Sequence, residues 1–320
     1  MTRKEKSSAI WFNKDPILHS AWLYYQEGLN QTDIAEVLGV SRASVVKYLQ
    51  QARELGYVQI TLDQDRYTQA TISSKLKTKF GLDNVLVAPA GDGQTHVRIR
   101  LARAGAMYLS HVTKDNDTIG IAWGRTIHEL SQAMPRKPLK NVSVLQMIGS
   151  MYAQYSFAAD EGSSLIANRF EGTGMNLNVP AIVSSARLAT ELQAEPIVRS
   201  HFAVLERCSR AVFVVGHCSP NNSAVRAGII SEQDMETYKQ LGATAVICGR
   251  FLDAQGQPVI TELDQRILGI NLAQLRQIPS RIMIGGGPKN HQAVLAGLRG
   301  GYVTDLITDH ETADFLLENG

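Results

Sequence analysis

The 320-residue sequence predicts an α/β protein of two domains. A helix-turn-helix, winged-helix-like domain is expected over residues 1–62, and a doubly wound parallel sheet over residues 63–320. Three observations predict this. Residues 29–60 read as two short helices about a glycine turn, followed by one extended segment. The composition then turns polar at Asp63-Gln64-Asp65-Arg66-Tyr67, which reads as a linker. Beyond it, short apolar runs recur at 84–88, 118–122, 142–148, 211–216, 245–248, 281–284 and 303–308, with helical patterns over 97–109, 163–170, 197–208, 232–241 and 292–298. Short buried runs alternating with helices are the mark of a parallel sheet covered on both faces, because each crossover must return the chain to the same end of the sheet.

Composition excludes several classes. The chain is 44% hydrophobic and 19% charged, with a net charge of +2, so any nucleic-acid contact must come from a local basic patch. No apolar run approaches the roughly 20 residues of a membrane span. The opening MTRKEKSSAIWF carries charge but no apolar core, and reads as a frayed tail rather than a secretory signal. Cys208, Cys218 and Cys248 are odd in number and lack metal-ligand spacing, which fits a reduced cytoplasmic setting. No metal or cofactor is expected.

Taken in order, Asp15-Pro16 suits a helix start, and Trp22, Leu23 and Tyr25 are expected to pack on the two helices that follow. The first of these covers about 32–38, with Ile34, Ala35 and Leu38 on one face. Gly39 sits where a helix end needs positive φ, and Val40 turns back to the core. Ser41 is a natural cap for a second helix, 42–55, with Val45, Val46, Leu49 and Ala52 inward. Gly56 closes it, and Gly56-Tyr57-Val58-Gln59-Ile60-Thr61-Leu62 alternates as a small wing would. From Ser41 to Arg53 the helix carries Arg42, Lys47 and Arg53 and no carboxylate. A helix of this kind enters a major groove, with phosphate favoured at its N-terminus. The candidate DNA contacts are Thr32, Ser41, Arg42, Ser44, Lys47, Tyr48 and Gln51. An ordinary helical hairpin with a basic face would share part of this pattern.

In the second domain, ligand sites are expected beyond the carboxyl ends of strands. Three turns qualify. Gly120-Ile121-Ala122-Trp123-Gly124-Arg125-Thr126 runs from strand to helix, and its free N–H groups with Arg125 and Thr126 suit an anion. Gln146-Met147-Ile148-Gly149-Ser150 ends a strand on polar residues. Ile284-Gly285-Gly286-Gly287-Pro288-Lys289-Asn290 allows close backbone approach, with Lys289 as a charge. Plain structural turns would look the same.

These segments carry a resemblance. Gln31-Thr32-Asp33-Ile34-Ala35 and Leu38-Gly39-Val40-Ser41-Arg42 resemble the N-terminus of SorC-family sugar-responsive transcriptional regulators. Gly120 to Thr126 is similar to the family's GWGRT segment. Ser231 to Asp234, Leu241-Gly242-Ala243, Cys248 to Gly256 and Leu298 to Val303 also resemble its effector domains. The resemblance implies an effector domain folded like sugar-phosphate isomerases and deaminases with catalysis lost. It further implies a homo-oligomer, dimer or tetramer, on double-stranded operator DNA, controlled by a small sugar, polyol or sugar phosphate. Carried over, Gly124, Arg125 and Thr126 would hold a phosphate, Gln146, Gly149 and Ser150 would line the pocket, and Asp253 would accept from sugar hydroxyls, with Lys289 and Asn290 in the third turn. Two departures stand out. Family members commonly hold a lysine where this chain has Asn290, and Lys289, one residue earlier on a helix start, is turned by about 100°. Their Gly-x-Gly after the 211–215 strand reads Gly216-His217-Cys218 here. A neutral amide at Asn290 suits a hydroxyl, so an unphosphorylated sugar or polyol is expected to compete well. The rival reading is an active isomerase or deaminase using Asp253, His217 or His291 as base. None belongs to a recognisable catalytic motif, so no catalytic residue is expected.

Overall fold

The computed structural model describes residues 15–58, 64–89, 96–150, 161–220, 222–226 and 230–320. The chain divides into two compact units, Met1–Gln64 and Asp65–Gly320.

The first unit holds three described helices, α1 (Pro16–Tyr25), α2 (Gln31–Leu38) and α3 (Arg42–Glu54). Each has a side-chain cap on its otherwise unpaired N–H groups. Asp15 accepts from Ile17 and Leu18, Asn30 from Thr32 and Asp33, and Ser41 from Ser44. Gly39 stops α2 at φ +67°, its N–H returning to Ala35 and Glu36. Leu23, Ile34, Ala35, Val45 and Leu49 form the core, with Val40 packed against it. Three expectations fail here. Trp22 and Tyr25 are 40% and 41% exposed, because α1 turns Ser20, Ala21 and Leu23 inward and places both aromatic rings on the other side. Val46 is 45% exposed, because the stripe of Val45, Leu49 and Ala52 already fills the inner face of α3. Gly56, Tyr57 and Val58 form turn and bend rather than strand. The rest of the expected wing, and the N-terminal tail, lie outside the described residues.

The second unit begins with α4 (Gln64–Phe80), so the polar stretch read as a linker is, from Gln64 on, the opening of a helix. Polar composition cannot separate a linker from a helix start. The chain continues through β1 (Asn84–Val87), α5 (Val97–Val112), β2 (Thr118–Ile121), α6 (Arg125–Ala133), β3 (Ser143–Gln146), α7 (Glu161–Phe170), β4 (Thr173–Met175), α8 (Ala186–Ala194), α9 (Pro196–Leu205) and β5 (Arg210–His217). There follow α10 (Ser223–Arg226), α11 (Glu232–Gln240), β6 (Ala243–Ile247), β7 (Arg250–Asp253), β8 (Pro258–Val259), α12 (Leu272–Gln277), β9 (Ser280–Ile284), α13 (His291–Arg299), β10 (Asp305–Thr308) and α14 (His310–Asn319).

Seven strands form a parallel sheet in the order β1-β10-β9-β5-β2-β3-β4. Both faces are covered. Val212, Ile282, Ile284 and Ile307 pack with Leu101, Leu109, Ile127 and Ile166 from α5, α6 and α7. Phe213, Met283 and Leu306 pack the other way, with Leu76, Leu295 and Leu316 from α4, α13 and α14. The expected all-parallel sheet needs one correction. Strand β5 runs on past its parallel pairing, and its last three residues meet β6 antiparallel, Val215 opposite Ile247 and His217 opposite Ala245. β7 and β8 extend this antiparallel arm. The sheet is therefore mixed. An apolar run such as 245–248 signals burial but not direction.

From β2 the chain moves outward through β3 and β4, then returns at β5 on the other edge of β2. The carboxyl ends of β2 and β5 thus flank the point where winding reverses, which is where such sheets open a crevice.

Candidate functional site

At that crevice lies a cavity of about 1110 Å³. Its polar side comes from first turns. The segment after β2 contributes Trp123, Gly124, Arg125 and Thr126, α5 contributes His96 and Arg98, and the glycine turn after β9 contributes Lys289 and Asn290. The end of β5 adds His217, Cys218, Ser219 and Asn222, and α10 adds Arg226. Four cations, Arg98, Arg125, Arg226 and Lys289, line it, and no carboxylate does among the described residues. Arg98 also meets Glu129 at 3.7 Å, outside the lining.

The backbone prepares this edge for an anion. Gly124 caps α6 at φ +140° and ψ 172°, with no side-chain hydrogen bond to the first turn. That conformation belongs essentially to glycine. Arg125 and Thr126, at the start of α6, where the helix dipole favours an anion, line the cavity. Trp123 Nε1 is buried and has no hydrogen-bond partner among the described residues.

The glycine turn has a structural reason of its own. A Cβ at Gly286 would lie 2.0 Å from Asp309 Oδ2. The buried Asp309 carboxylate accepts from Gly287 N at 2.7 Å and from Thr312 Oγ1 and N. Asn290 Nδ2 donates to Gly286 O at 2.9 Å, so the amide is already engaged in holding the turn. His217 pairs through Nδ1 with Ser219 Oγ at 2.9 Å, and Asn222 Nδ2 donates to its carbonyl. Burial, and then the Lys289 ammonium, hold the His217 imidazole below its ordinary value of 6.5, so it is neutral near pH 7. Burial pushes the Cys218 and Cys248 thiols up to about 12.

Of the expected ligand residues, Gly124, Arg125, Thr126, Lys289 and Asn290 line one cavity. Gln146, Gly149, Ser150 and Asp253 lie outside its lining, each with a structural task. Gln146 Oε1 accepts from Leu177 N at 2.7 Å inside the protein. A Cβ at Gly149 would strike the carbonyl of Pro180 at 2.6 Å. Ser150 pairs with the same segment through Val179 O and Ala181 N. Asp253 Oδ1 accepts from Gln255 N and Gln257 N and closes the β7–β8 turn. His291, offered above as a base, stacks on Phe315 at 4.9 Å outside the lining. Sequence reasoning missed His96, Arg98 and Arg226. The one available signal was that α5, like α6, follows a parallel strand, so its first turn opens on the same edge.

On α3, Arg42 and Lys47 are exposed, with Lys47 opposite the buried stripe. Ser41 is exposed, and its hydroxyl is tied to Ser44 N and Oγ. Tyr48 and Gln51 are half-buried on the flank toward the core, and Thr32 is exposed on α2. Ala43 and Gln50, which the sequence did not single out, and Val46, which it placed inward, share the outward face.

A family of putative sugar-binding domains matches residues 66–318, nearly the whole second unit. An Escherichia coli K12 protein described as the uncharacterized transcriptional regulator YjhU is 51% identical over 99% of this chain and 98% of its own length. The chain belongs to the SorC family of transcriptional regulators. A deoxyribonucleoside regulator of Bacillus subtilis strain 168 is 30% identical over 94% of this chain and 97% of its own. The crystal structure of the full-length sorbitol operon regulator SorC from Klebsiella pneumoniae superposes with a TM-score of 0.73 at 25% identity, covering 94% of this chain and 98% of that one. Among the described residues, no cluster of ligating side chains could hold a metal ion, and no helix is long and apolar enough to cross a membrane.

Proposed function

We propose that this SorC-family regulator binds operator DNA through α3 and is controlled by an anionic sugar, a sugar phosphate or sugar acid, held in the second unit's cavity. The observation that carries the ligand class is its lining of four cations without a described carboxylate. An anion there gains charge-assisted hydrogen bonds, whereas a neutral polyol would leave the cations no less solvated and gain little. The unphosphorylated ligand expected from Asn290 is less well supported, because that amide holds Gly286 O and Lys289 brings a charge to the same cavity. Arg125 and Thr126 with the α6 N–H groups would take the anion.

The fold relation to sugar-phosphate isomerases and deaminases is supported by a parallel sheet with its crevice at the reversal of winding. Catalysis has no support from the relatives above, which are described as regulators, and of the three candidate bases only His217 reaches the lining, where its Nδ1 is already paired with Ser219 Oγ. On the DNA side, Arg42 and Lys47 are placed to meet base edges or phosphates, and Val46 to meet a thymine methyl. Assembly as a dimer or tetramer would let two α3 helices read two half-sites. Thermal-shift screening of sugars, polyols, sugar acids and sugar phosphates tests the ligand class, since a hundredfold excess over Kd stabilises by about 2.7 kcal/mol. Stabilisation by neutral polyols alone would overturn it.

A further inference from the structure

The cavity is two-faced, and the reading of an anionic effector uses only one face. Arg98, Arg125 and Lys289 come from the segments after β1, β2 and β9, of which the first and third adjoin, while the fourth cation, Arg226, comes from α10, whose Val225 packs with Ile182 and Val246 of the other wall. A Cβ at Gly287 would lie 3.3 Å from Val97 Cγ1, and one at Gly286 2.9 Å from Leu101 Cδ1. The other wall is built by different segments. Ile148, Ala181, Ile182 and Ile267 come from extended stretches joined by the bridges Ile148–Gly269 and Ile182–Ile267, and Val246 and Cys248 come from the antiparallel arm. The two groups meet, since a Cβ at Gly249 would lie 3.8 Å from Ile267 Cγ2. None of these six side chains is charged, and the Cys248 thiol stays protonated near neutrality.

Size points the same way. At about 1110 Å³ the cavity reaches past the roughly 300–1,000 Å³ that encloses drug-sized ligands. A bare monosaccharide phosphate is smaller than those and leaves the apolar wall uncovered. Turned against that wall, a sugar hydroxyl loses its water without gaining a partner, which weakens binding by roughly tenfold or more. An apolar group placed there gains instead.

Resting on the anionic-effector reading, we infer that the effector is an anionic glycoside: a phosphorylated or acidic sugar at the cationic edge, carrying an aromatic or aliphatic aglycone against Ile148, Ile182, Val246 and Ile267. Val246 and Ile182 would then select for the aglycone without touching the anion.

Calorimetry on the full chain with two matched pairs tests this: D-glucose 6-phosphate against phenyl β-D-glucoside 6-phosphate, and D-ribose 5-phosphate against uridine 5′-monophosphate. In at least one pair the aglycone should tighten binding about tenfold or more. The isosteric Val246→Thr, and Ile182→Thr, which also removes a methyl group, should each remove about threefold or more of that gain, while affinity for the bare phosphate stays within about twofold and reports intact folding. Equal affinity within both pairs overturns the inference and leaves the anionic reading standing. Variants that weaken both members of a pair alike also overturn it. If no phosphate binds in either pair, the anionic reading falls and takes this inference with it.

Discussion

Replacing Gly124 with alanine, and separately with valine, isolates the backbone's part in ligand capture. The position is not crowded: a Cβ there meets only Val214 Cγ2, at 3.9 Å. The obstacle is φ +140° with ψ 172°, which costs a residue bearing a Cβ about 1–3 kcal/mol. The flanks cannot yield easily. Ala122 N is bonded to Val212 O, His128 N to Gly124 O, and Ile127 and Leu130 are fully buried. Relief therefore falls on the Trp123–Gly124–Arg125 peptides, which re-aims the first N–H groups of α6. Losing one charge-assisted hydrogen bond costs about 1.5–3 kcal/mol, one to two orders of magnitude in effector affinity. The assay is fluorescence anisotropy on a labelled operator fragment, titrated with the sugar phosphate that stabilises the wild type most. Operator affinity without effector should be unchanged, and the effector concentration at half-response should rise about 10–100-fold in both variants. Alanine is the decisive case, because it tests conformation without bulk. Undiminished effector affinity in Gly124→Ala refutes the placement of the anion at this turn, whatever happens to the melting temperature.

Four further outcomes are expected. Arg42→Ala should weaken operator binding by about 1–3 kcal/mol if it reads a base edge, or evenly across sequences with a flatter salt slope if it meets phosphate; unchanged affinity removes it from the interface. Lys289→Gln should weaken a phosphorylated ligand by about tenfold with little effect on a neutral sugar, as calorimetry would read. Gly286→Ala should lower stability in urea by about 1–3 kcal/mol or more, because its Cβ would displace the buried Asp309 carboxylate from Gly287 N and Thr312. Acidification should also destabilise the second unit. His201 is buried, with Nε2 against Gln146 O at 2.7 Å, and burial holds its pKa below the ordinary 6.5. The unfolded chain thus takes the proton first, so this contribution is complete above about pH 6.5 and is lost as pH falls through that value toward the folded-state pKa. Urea melts at about pH 7.5 and about pH 5.5 should differ less in His201→Phe than in wild type.

Local rules made much of the chain legible. Asp15, Ser41, Gly39 and Gly56 punctuate the first unit where capping and positive φ require them, since those demands involve only a few neighbouring residues. The runs at 84–88, 118–122, 281–284 and 303–308 fall on β1, β2, β9 and β10 because a strand buried on both faces must be apolar throughout. The turn at Gly124, Arg125 and Thr126 could be read because a strand, a glycine and a helix start are consecutive in sequence. Quantities that depend on distant partners were beyond this reach. The outward face of Trp22 and Val46 depended on which residues the neighbouring helices left room for. The antiparallel course of β6 followed from β5 outrunning its parallel neighbours, and apolar character is the same in either direction. Gln146 and Asp253 have side chains suited to a sugar, yet the structure turned them to Leu177 N and to the β7–β8 turn. Arg98 and Arg226 share a cavity with Arg125 although they are far from it along the chain, because winding order brings the carboxyl ends of the strands together. Residue type states what a side chain can bond; only the folded chain decides which of its possible partners arrives.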